Sequence, residues 1–143
     1  MKIIAIDVFQ ADLPYSGGVY RLSRDRSYEV FDATIVRITA DDGTVGWGES
    51  TPFGSTYAAA HPAGTRAAIG LLAPTLLGQD PRAMDRIHDL MDDTLVGHQD
   101  AKAALDIACW DIWGKRAGLP VSDLLGGRTR VPMPLISSIH AGD

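Results

Sequence analysis

Cysteine, basic clusters and long apolar runs are scarce in this 143-residue chain, and each scarcity argues against a class of protein. The single cysteine, Cys109, rules out a disulfide within the chain and is interpreted as a small buried apolar residue. A net charge of −5 without a lysine and arginine run argues against nucleic acid or an anionic membrane as partner. Because no apolar segment approaches the roughly 18–20 residues of a membrane span, and the first residues are unlike a signal peptide, we expect a cytoplasmic protein.

Histidines and paired acids are also few, and their spacing predicts no metal centre. The four histidines fall in different predicted elements, and no pair has the i, i+4 separation of a metal-binding helix with a carboxylate nearby. The acid pairs Asp41-Asp42 and Asp92-Asp93 are more typical of a turn and a helix surface than of catalytic carboxylates. We therefore predict that no metal ligand lies in this sequence.

A long amphipathic segment, 100–117, is the feature around which the chain is organised. Apolar residues recur there at the i, i+3, i+4, i+7 spacing of one helix face, and Gly118 and Pro120 end the pattern. A second apolar row containing Ile107 and Trp110 predicts a helix that is buried on more than one side. The main face consists of Ala101, Ala104, Leu105, Ala108 and Ile112.

Three segments of extended character precede the helices. Residues 2–10 and 28–40 are rich in β-branched residues, and an Asp-Asp-Gly turn joins the second segment to a third, 44–49. We predict a strand followed by a β-hairpin, which together form a three-stranded meander. Gly46 and Gly48 inside the last strand indicate either a bulge or the close approach of another backbone.

Two stretches between these elements lack any apolar period. Residues 14–27 collect glycine, serine and arginine, and residues 51–60 follow the hairpin. Both are predicted to be loops, and loops of such length in compact domains are commonly functional.

Helical periodicity begins after the second loop. Residues 62–77 form one predicted helix that Pro74 must kink or divide. Asp80-Pro81 is predicted to cap a second helix that continues to Gly97. After the long helix, residues 131–139 predict a further strand. Strands followed by helices indicate an α+β fold, here an antiparallel meander followed by a helical bundle.

The motifs resemble those of a known family. ITADDGTVGWGES at 38–50, AKAALDIACWDIWGK at 101–115 and GLPVSDLLGG at 118–127 resemble the N-terminal capping domain of the enolase superfamily, in its mandelate racemase/muconate lactonizing enzyme subgroup. Within that subgroup, EVFDATIV, FGSTYAAAHPAG, LLAPTLLGQDP and GHQDAKAALDIACWD are most similar to cis-3-hydroxy-L-proline dehydratases and hydroxyproline-betaine epimerases.

The resemblance implies a two-domain enzyme, with residues 1–127 as the cap and 128–143 as the start of a (β/α)₇β barrel. The strand ends of that barrel hold Mg²⁺, which stabilises the enediolate formed when a base removes the proton α to a carboxylate. A complete barrel needs on the order of 250 residues. We therefore expect no catalytic residue in this chain and no turnover by it alone, and we expect the family's homo-oligomeric assembly.

The family's cap loops, which shape the substrate pocket, correspond here to residues 14–26 and 51–60. An aromatic face beside a cationic ring nitrogen would give a cation–π contact worth about 0.5–2 kcal/mol. The substrate, a small carboxylate or amino-acid-like molecule such as a proline derivative or betaine, would supply that nitrogen. The predicted substrate-binding residues are Tyr57, Tyr20, Phe53 and Thr56.

Ordinary structural roles compete with binding in both loops. A loop tyrosine often packs against its neighbours instead of contacting a ligand. Arg21, Arg24 and Arg26 could contact a carboxylate, but arginines in a polar loop are more commonly solvated.

Three functions stay open at this point. The chain is the cap of an enzyme that abstracts an α-proton, a stand-alone small-molecule-binding or interaction domain, or a non-catalytic truncated fragment. A strand at 131–139 without a partner would expose backbone and apolar surface, which favours the first or the third. Epimerisation and dehydration both follow from the same proton removal, so the sequence does not choose between them.

Overall fold

Strands come first and helices follow in the computed structural model, which describes residues 1–54, 56–128 and 131–135. This order is the predicted α+β arrangement. The elements are β1 Ile3–Pro14, β2 Tyr20–Arg21, β3 Ser27–Tyr28, β4 Val30–Ala40, β5 Val45–Ser50, α1 Pro62–Leu76, α2 Met84–Thr94, α3 Gln99–Ala117 and α4 Val121–Leu124.

The main sheet is an antiparallel meander with strand order β1-β4-β5, as predicted. β1 runs four residues further than the predicted 2–10, because its pairing with β4 continues to Pro14 opposite Val30. The predicted loop at 14–27 is not wholly irregular, since β2 and β3 pair within it and set Tyr20 opposite Tyr28. This small hairpin places two aromatic side chains beside the end of the main sheet.

The core lies between the sheet and the helices, and α3 runs along β5. Gly46 and Gly48 of β5 face the backbone of α3. A Cβ atom on Gly46 would overlap the carbonyl oxygen of Ala108, and one on Gly48 would overlap that of Ala104. The predicted close approach of another backbone is therefore confirmed. Buried apolar residues complete the core, among them Val36, Ile38, Ile69, Leu72, Leu76, Ile87, Met91, Leu105 and Ile112.

Two side chains of α3 satisfy main-chain groups at the outer edge of β5. The Asp111 carboxylate accepts the Trp47 backbone N–H at 2.8 Å, and Lys115 Nζ donates to the Val45 carbonyl oxygen at 2.9 Å. Asp111 and Lys115 also pair with each other at 2.6 Å. An ion pair at i, i+4 by itself stabilises a helix by about 0.2–0.5 kcal/mol. The pair does more here, because it occupies edge groups that would otherwise be open to another strand.

Pro74 does not divide α1, so that part of the prediction was wrong, whereas a kink at Pro74 stays a prediction. The helix runs from Pro62 to Leu76 with Pro74 in its last turn. Proline removes the hydrogen bond to the carbonyl four residues earlier, which belongs to Gly70. Because both Pro74 and Gly70 are exposed, the lost bond falls on the solvent side.

The predicted cap at Asp80 was also wrong. α2 begins at Met84, and its N-cap residue, Ala83, makes no side-chain capping bond. Asp80 instead accepts from the Arg82 backbone N–H at 3.0 Å and from the Arg82 guanidinium at 2.7 Å and 3.0 Å. The carboxylate therefore stabilises a turn before the helix, and the Arg82 hydrogen bonds lower the pKa of Asp80 to about 2.

The second apolar row of α3 is less buried than predicted. Ile107 is 47% exposed, and Trp110 is half-buried and stacks on Trp113 with ring centroids 4.9 Å apart. Residues 131–135 of the predicted final strand form no strand, and 136–139 lie outside the described residues.

Candidate functional site

The two predicted loops meet in a cluster of aromatic rings centred on Phe53. The Phe53 ring centroid lies 5.0 Å from that of Tyr20 and 5.0 Å from that of Tyr57, both in edge-to-face geometry. Phe31 stacks on it at 5.2 Å, and Tyr28 lies at 5.6 Å. Such pairs are worth about 0.5–1.5 kcal/mol each beyond the area they bury. The aromatic cluster consists of Tyr15, Tyr20, Tyr28, Phe31, Phe53 and Tyr57.

Local structure explains how rings from distant parts of the chain come together. The β2–β3 pairing holds Tyr20 opposite Tyr28, and β4 begins two residues later and carries Phe31. Gly54, with φ of +76°, turns the second loop toward this group, and a Cβ at that position would overlap the Tyr28 hydroxyl. Glycine is therefore favoured there by its conformation, and a larger residue would also have to displace the end of the Tyr28 side chain.

Polar bonds join the two loops beside the rings. Arg26 donates to the Thr56 carbonyl oxygen at 3.4 Å and to the Ser23 carbonyl oxygen at 3.1 Å. The hydroxyls of Tyr28 and Thr56 lie 3.4 Å apart. Arg26 thus tethers the loops instead of being only solvated, whereas Arg21 and Arg24 are exposed.

All four predicted substrate-binding residues lie in or beside the cluster, but they differ in accessibility. Tyr57 is 69% exposed and Thr56 is also exposed. Tyr20 and Phe53 are half-buried, and Phe53 is surrounded by four rings, so packing accounts for most of its surface. Tyr57 is the ring best placed to meet a ligand, and its role in binding stays a prediction.

Sequence reasoning missed Tyr28, Phe31 and the tether at Arg26. The first two belong to the segment predicted as the hairpin's first strand, where aromatic residues read as sheet formers. The only available signal was the recurrence of aromatics on both sides of Val30. The sequence carried no signal for the role of Arg26, because its hydrogen-bond partners are backbone carbonyls, and residue types do not show which carbonyls lie nearby.

Polar side-chain bonds fix the position at which the second loop joins α1. Arg66 on α1 donates to both carboxylate oxygens of Asp32 on β4, at 2.8 Å and 3.0 Å, and to the Thr34 hydroxyl. These hydrogen bonds lower the pKa of Asp32 against the opposing effect of desolvation. Thr65 also donates to Asp100 on α3. The start of α1, where the loop ends, is therefore fixed to both the sheet and the long helix.

The remaining reactive side chains have structural roles. His61 caps α1 by accepting the Gly64 backbone N–H, and His88 pairs with Asp106 at 2.7 Å. Burial, together with the Asp106 carboxylate, raises the pKa of the Cys109 thiol to about 12, so it is an inert core group. Among the described residues, no three histidines, cysteines or acids are placed to hold a metal; His140 lies outside them.

No helix in the part of the chain that the structure describes is long and apolar enough to span a bilayer.

Comparison with known proteins assigns the fold to a class. The antiparallel meander backed by helices is that of the N-terminal capping domains of the enolase superfamily. More closely, the family described as "Mandelate racemase / muconate lactonizing enzyme, N-terminal domain" matches residues 26–126. The chain therefore belongs to the mandelate racemase/muconate lactonizing enzyme family.

Individual relatives agree with this assignment. The chain is 45% identical over 97% of its length to a cis-3-hydroxy-L-proline dehydratase from Roseibium aggregatum, and 35% identical over all of it to an N-succinyl-L-Arg/Lys racemase from Bacillus cereus. A mandelate racemase/muconate lactonizing enzyme from Roseovarius nubinhibens, whose structure was solved in complex with magnesium, matches 99% of the chain with 63% identity and a TM-score of 0.92. In each case the chain spans 38% of the relative's length.

Proposed function

We propose that the chain is the capping and substrate-recognition part of a Mg²⁺-dependent enzyme that removes the proton α to a carboxylate. The substrate is a proline-like amino acid or betaine, and the product is its epimer or a dehydrated acid. The enzyme is a cytoplasmic homo-oligomer whose barrel follows residue 127. The relatives named as a dehydratase and a racemase support both outcomes of the same proton removal.

The observation that carries this proposal is the aromatic cluster, with Tyr57 exposed at its surface. A ring nitrogen that is permanently cationic, or protonated at neutral pH, gains electrostatic energy over an aromatic face. Such a surface selects for a cation next to an apolar ring, which is the chemistry of a proline derivative.

The described residues do not form a binding site for Mg²⁺. They place no group of three or more histidines, cysteines or acids together. We therefore assign Mg²⁺ and the base to the portion that the longer relatives have beyond this chain. When bound there, the metal would stabilise the charge that develops on the substrate carboxylate. The contribution of this chain is to bind the ring of the substrate and to exclude water from it.

The proposal is tested on the longer protein that contains this chain, with Mg²⁺ and either cis-3-hydroxy-L-proline or a hydroxyproline betaine. Proton NMR in D₂O reports loss of the α-proton signal, which both epimerisation and dehydration require. We expect exchange, and we expect Tyr57→Ala to raise KM about 2- to 30-fold with kcat unchanged, since it removes a cation–π contact of about 0.5–2 kcal/mol.

Two control substitutions distinguish the loss of the Tyr57 aromatic ring from general damage to the fold. Tyr57→Phe keeps the aromatic face and should retain most of the affinity, and Val96→Ala changes an exposed residue outside the cluster. A competitor without a cationic ring atom, tetrahydrofuran-2-carboxylate, should lose no affinity in Tyr57→Ala, whereas proline betaine should. Absence of α-proton exchange, or saturable betaine binding by the 143-residue chain alone, would overturn the proposal in favour of a binding domain.

A further inference from the structure

The second loop, 51–60, leads into a helix that is capped by a histidine. His61 is the N-cap residue of α1, and its imidazole Nδ1 accepts the Gly64 backbone N–H at 3.1 Å. The His61 carbonyl oxygen accepts the Thr65 backbone N–H at 2.9 Å. Serine, threonine, aspartate and asparagine are the residues that usually make such a cap. A histidine in this position therefore brings a property that those residues lack.

Gly64 leaves the space in which the imidazole makes this bond. A Cβ atom at position 64 would lie 2.9 Å from Nε2 and 3.0 Å from Cε1 of His61. The ring therefore lies against the first turn of α1, where a larger residue would crowd it.

The cap anchors the part of the loop that carries Tyr57. Only three alanines separate Tyr57 from His61, and alanine has no polar side-chain atom with which to fix this segment. The Tyr57 backbone N–H donates to the Gly54 carbonyl oxygen at 3.1 Å, which is a bond within the loop itself. On this side, the loop is therefore joined to the rest of the domain through the first turn of α1.

An imidazole stops acting as this cap when it takes up a proton. A neutral imidazole with its hydrogen on Nε2 can accept at Nδ1, whereas both ring nitrogens of an imidazolium are donors. The positive charge would also lie at the helix N-terminus, where the helix dipole disfavours a cation. Histidine is the side chain that ordinarily changes charge between about pH 5 and 8. Because His61 is exposed, solvent protons reach it directly.

The charged side chains around the end of the loop do not pair with this imidazole. Ala59 and Ala60 lie beside the start of α3, and the Asp100 carboxylate there is bonded to the Thr65 hydroxyl. Within the described part of the chain, no ion pair and no side-chain hydrogen bond joins His61 to a charged group. The charged or titratable groups on the elements around it are Arg66 on α1, Asp32 on β4, His98 and Asp100 at the start of α3, and Arg26 in the first loop.

We infer that His61 is a pH-sensitive positioning residue for the second loop. The neutral imidazole caps α1 and fixes the segment that carries Tyr57, and the protonated imidazole releases that segment. The loop is therefore held at neutral and alkaline pH and loosened in acid. The consequence for substrate binding rests on the function proposed above, whereas the cap and its release do not.

The test measures hydrogen–deuterium exchange of the segment 54–65 by mass spectrometry in the longer protein that contains this chain. Exchange is compared at about pH 8 and about pH 5.5, on either side of the usual histidine titration, after correction for the intrinsic exchange rate. Protection should fall about 2- to 30-fold in acid, as expected for loss of an N-cap bond. His61→Asn keeps an acceptor that does not titrate and should stay protected at both pH values. His61→Ala has no acceptor and should be poorly protected at both.

His98→Asn is the matched control, because His98 lines the same depression as Ala59 and Ala60 and asparagine tolerates its left-handed φ of 53°. The acid loss of protection should be unchanged in this variant. An acid loss that persists in His61→Asn, or that disappears in His98→Asn, overturns the inference. Protection that is the same at both pH values in the unsubstituted protein also overturns it.

A kinetic measurement tests the consequence for binding. Proline betaine suits it, because its quaternary nitrogen and its carboxylate both keep their charges between about pH 5 and 8. The KM for betaine should rise about 2- to 30-fold more in acid for the unsubstituted protein than for His61→Asn. An equal rise in both proteins overturns the positioning role. A protein that does not use betaine contradicts the proposed function alone, since the exchange measurement contains no substrate and still decides the inference.

Discussion

Gly48 allows the closest approach between β5 and α3, and its hydrogen cannot be replaced without moving a backbone. A Cβ there would overlap the Ala104 carbonyl oxygen, which belongs to the helix main chain and cannot rotate away. Gly48→Ala should therefore lower the free energy of unfolding by about 1–3 kcal/mol or more, as measured by urea denaturation.

Gly70 on α1 is the matched control, because no atom lies within 4 Å of a Cβ built there and its φ is helical. Gly70→Ala should raise the free energy of unfolding by about 0.5–1 kcal/mol, since alanine loses less backbone entropy in a helix. Opposite signs at the two glycines are the expected result. Destabilisation by both substitutions would contradict the assigned contact.

Asp80 gives a second prediction at the scale of a single residue. Hydrogen bonds from Arg82 lower its pKa from 3.8 to about 2, so the ionised form is favoured in the folded state. A lowered folded-state pKa stabilises the protein above the unfolded value, and this contribution is lost as the pH falls from about 4 toward 2. Arg82→Ala should return the Asp80 pKa toward 3.8, as read from the carboxyl ¹³C shift.

The neighbouring Arg86, exposed on α2, supplies the comparison. Arg86→Ala should leave the Asp80 titration unchanged, because the Asp80 carboxylate accepts hydrogen bonds only from Arg82 among the described residues. An Asp80 that titrates identically in Arg82→Ala and in the unsubstituted protein would refute the turn assigned before α2.

At the scale of elements, the contact between α3 and the edge of β5 depends on Asp111. Asp111→Ala removes the acceptor for the Trp47 N–H and the partner of Lys115. Loss of a charged hydrogen-bond partner should cost about 1–3 kcal/mol of stability. The Trp47 amide should also exchange faster with D₂O, as measured by NMR.

Asp93 on α2 is an exposed aspartate whose side chain makes no hydrogen bond within the described part of the chain. Asp93→Ala should not lower stability, since an aspartate in the last helical turn opposes the helix dipole, and it should leave Trp47 exchange unchanged. If Asp111→Ala lowers stability no more than Asp93→Ala does, the hydrogen bond from Asp111 to β5 does not stabilise the protein. The few tenths of a kcal/mol expected of an i, i+4 ion pair would then account for the whole effect of Asp111.

At the scale of the whole molecule, Mg²⁺ should raise the Tm only of a protein that contains the metal ligands. The 143-residue chain should show no Tm change between Mg²⁺ and EDTA at equal ionic strength, because its described residues hold no group of metal ligands. The longer protein should unfold at a higher temperature with Mg²⁺, by mass action worth about 2.7 kcal/mol at 100 times Kd. A Mg²⁺-dependent Tm in the short chain would move the metal site into this domain.

The sequence predicted most of the fold and part of the candidate site. The hairpin at 28–49 and the helix beginning near Asp100 were recognisable because their signals are local: β-branched enrichment around a turn, and a 3.6-residue apolar period. The start of α2 was missed because the Asp80 side chain bonds to Arg82 instead of to a helix N–H. The partial exposure of Trp110 was not predicted, because periodicity identifies an apolar row on a helix but does not show whether another segment covers that row.

Element order and the long amphipathic helix were determined by the sequence itself, since each depends on neighbours a few residues away. Only the tertiary structure decided which backbone approaches Gly46 and Gly48, because Ala108 and Ala104 lie far along the chain. Only the tertiary structure decided that Tyr20, Phe53 and Tyr57 share one cluster. It also decided that Arg26 joins the two loops. The physical reason is that the contacts of Tyr20 with Phe53 and of Arg26 with Thr56 span 30 or more residues, so they exist only once strand pairing and the docking of α1 bring the loops together.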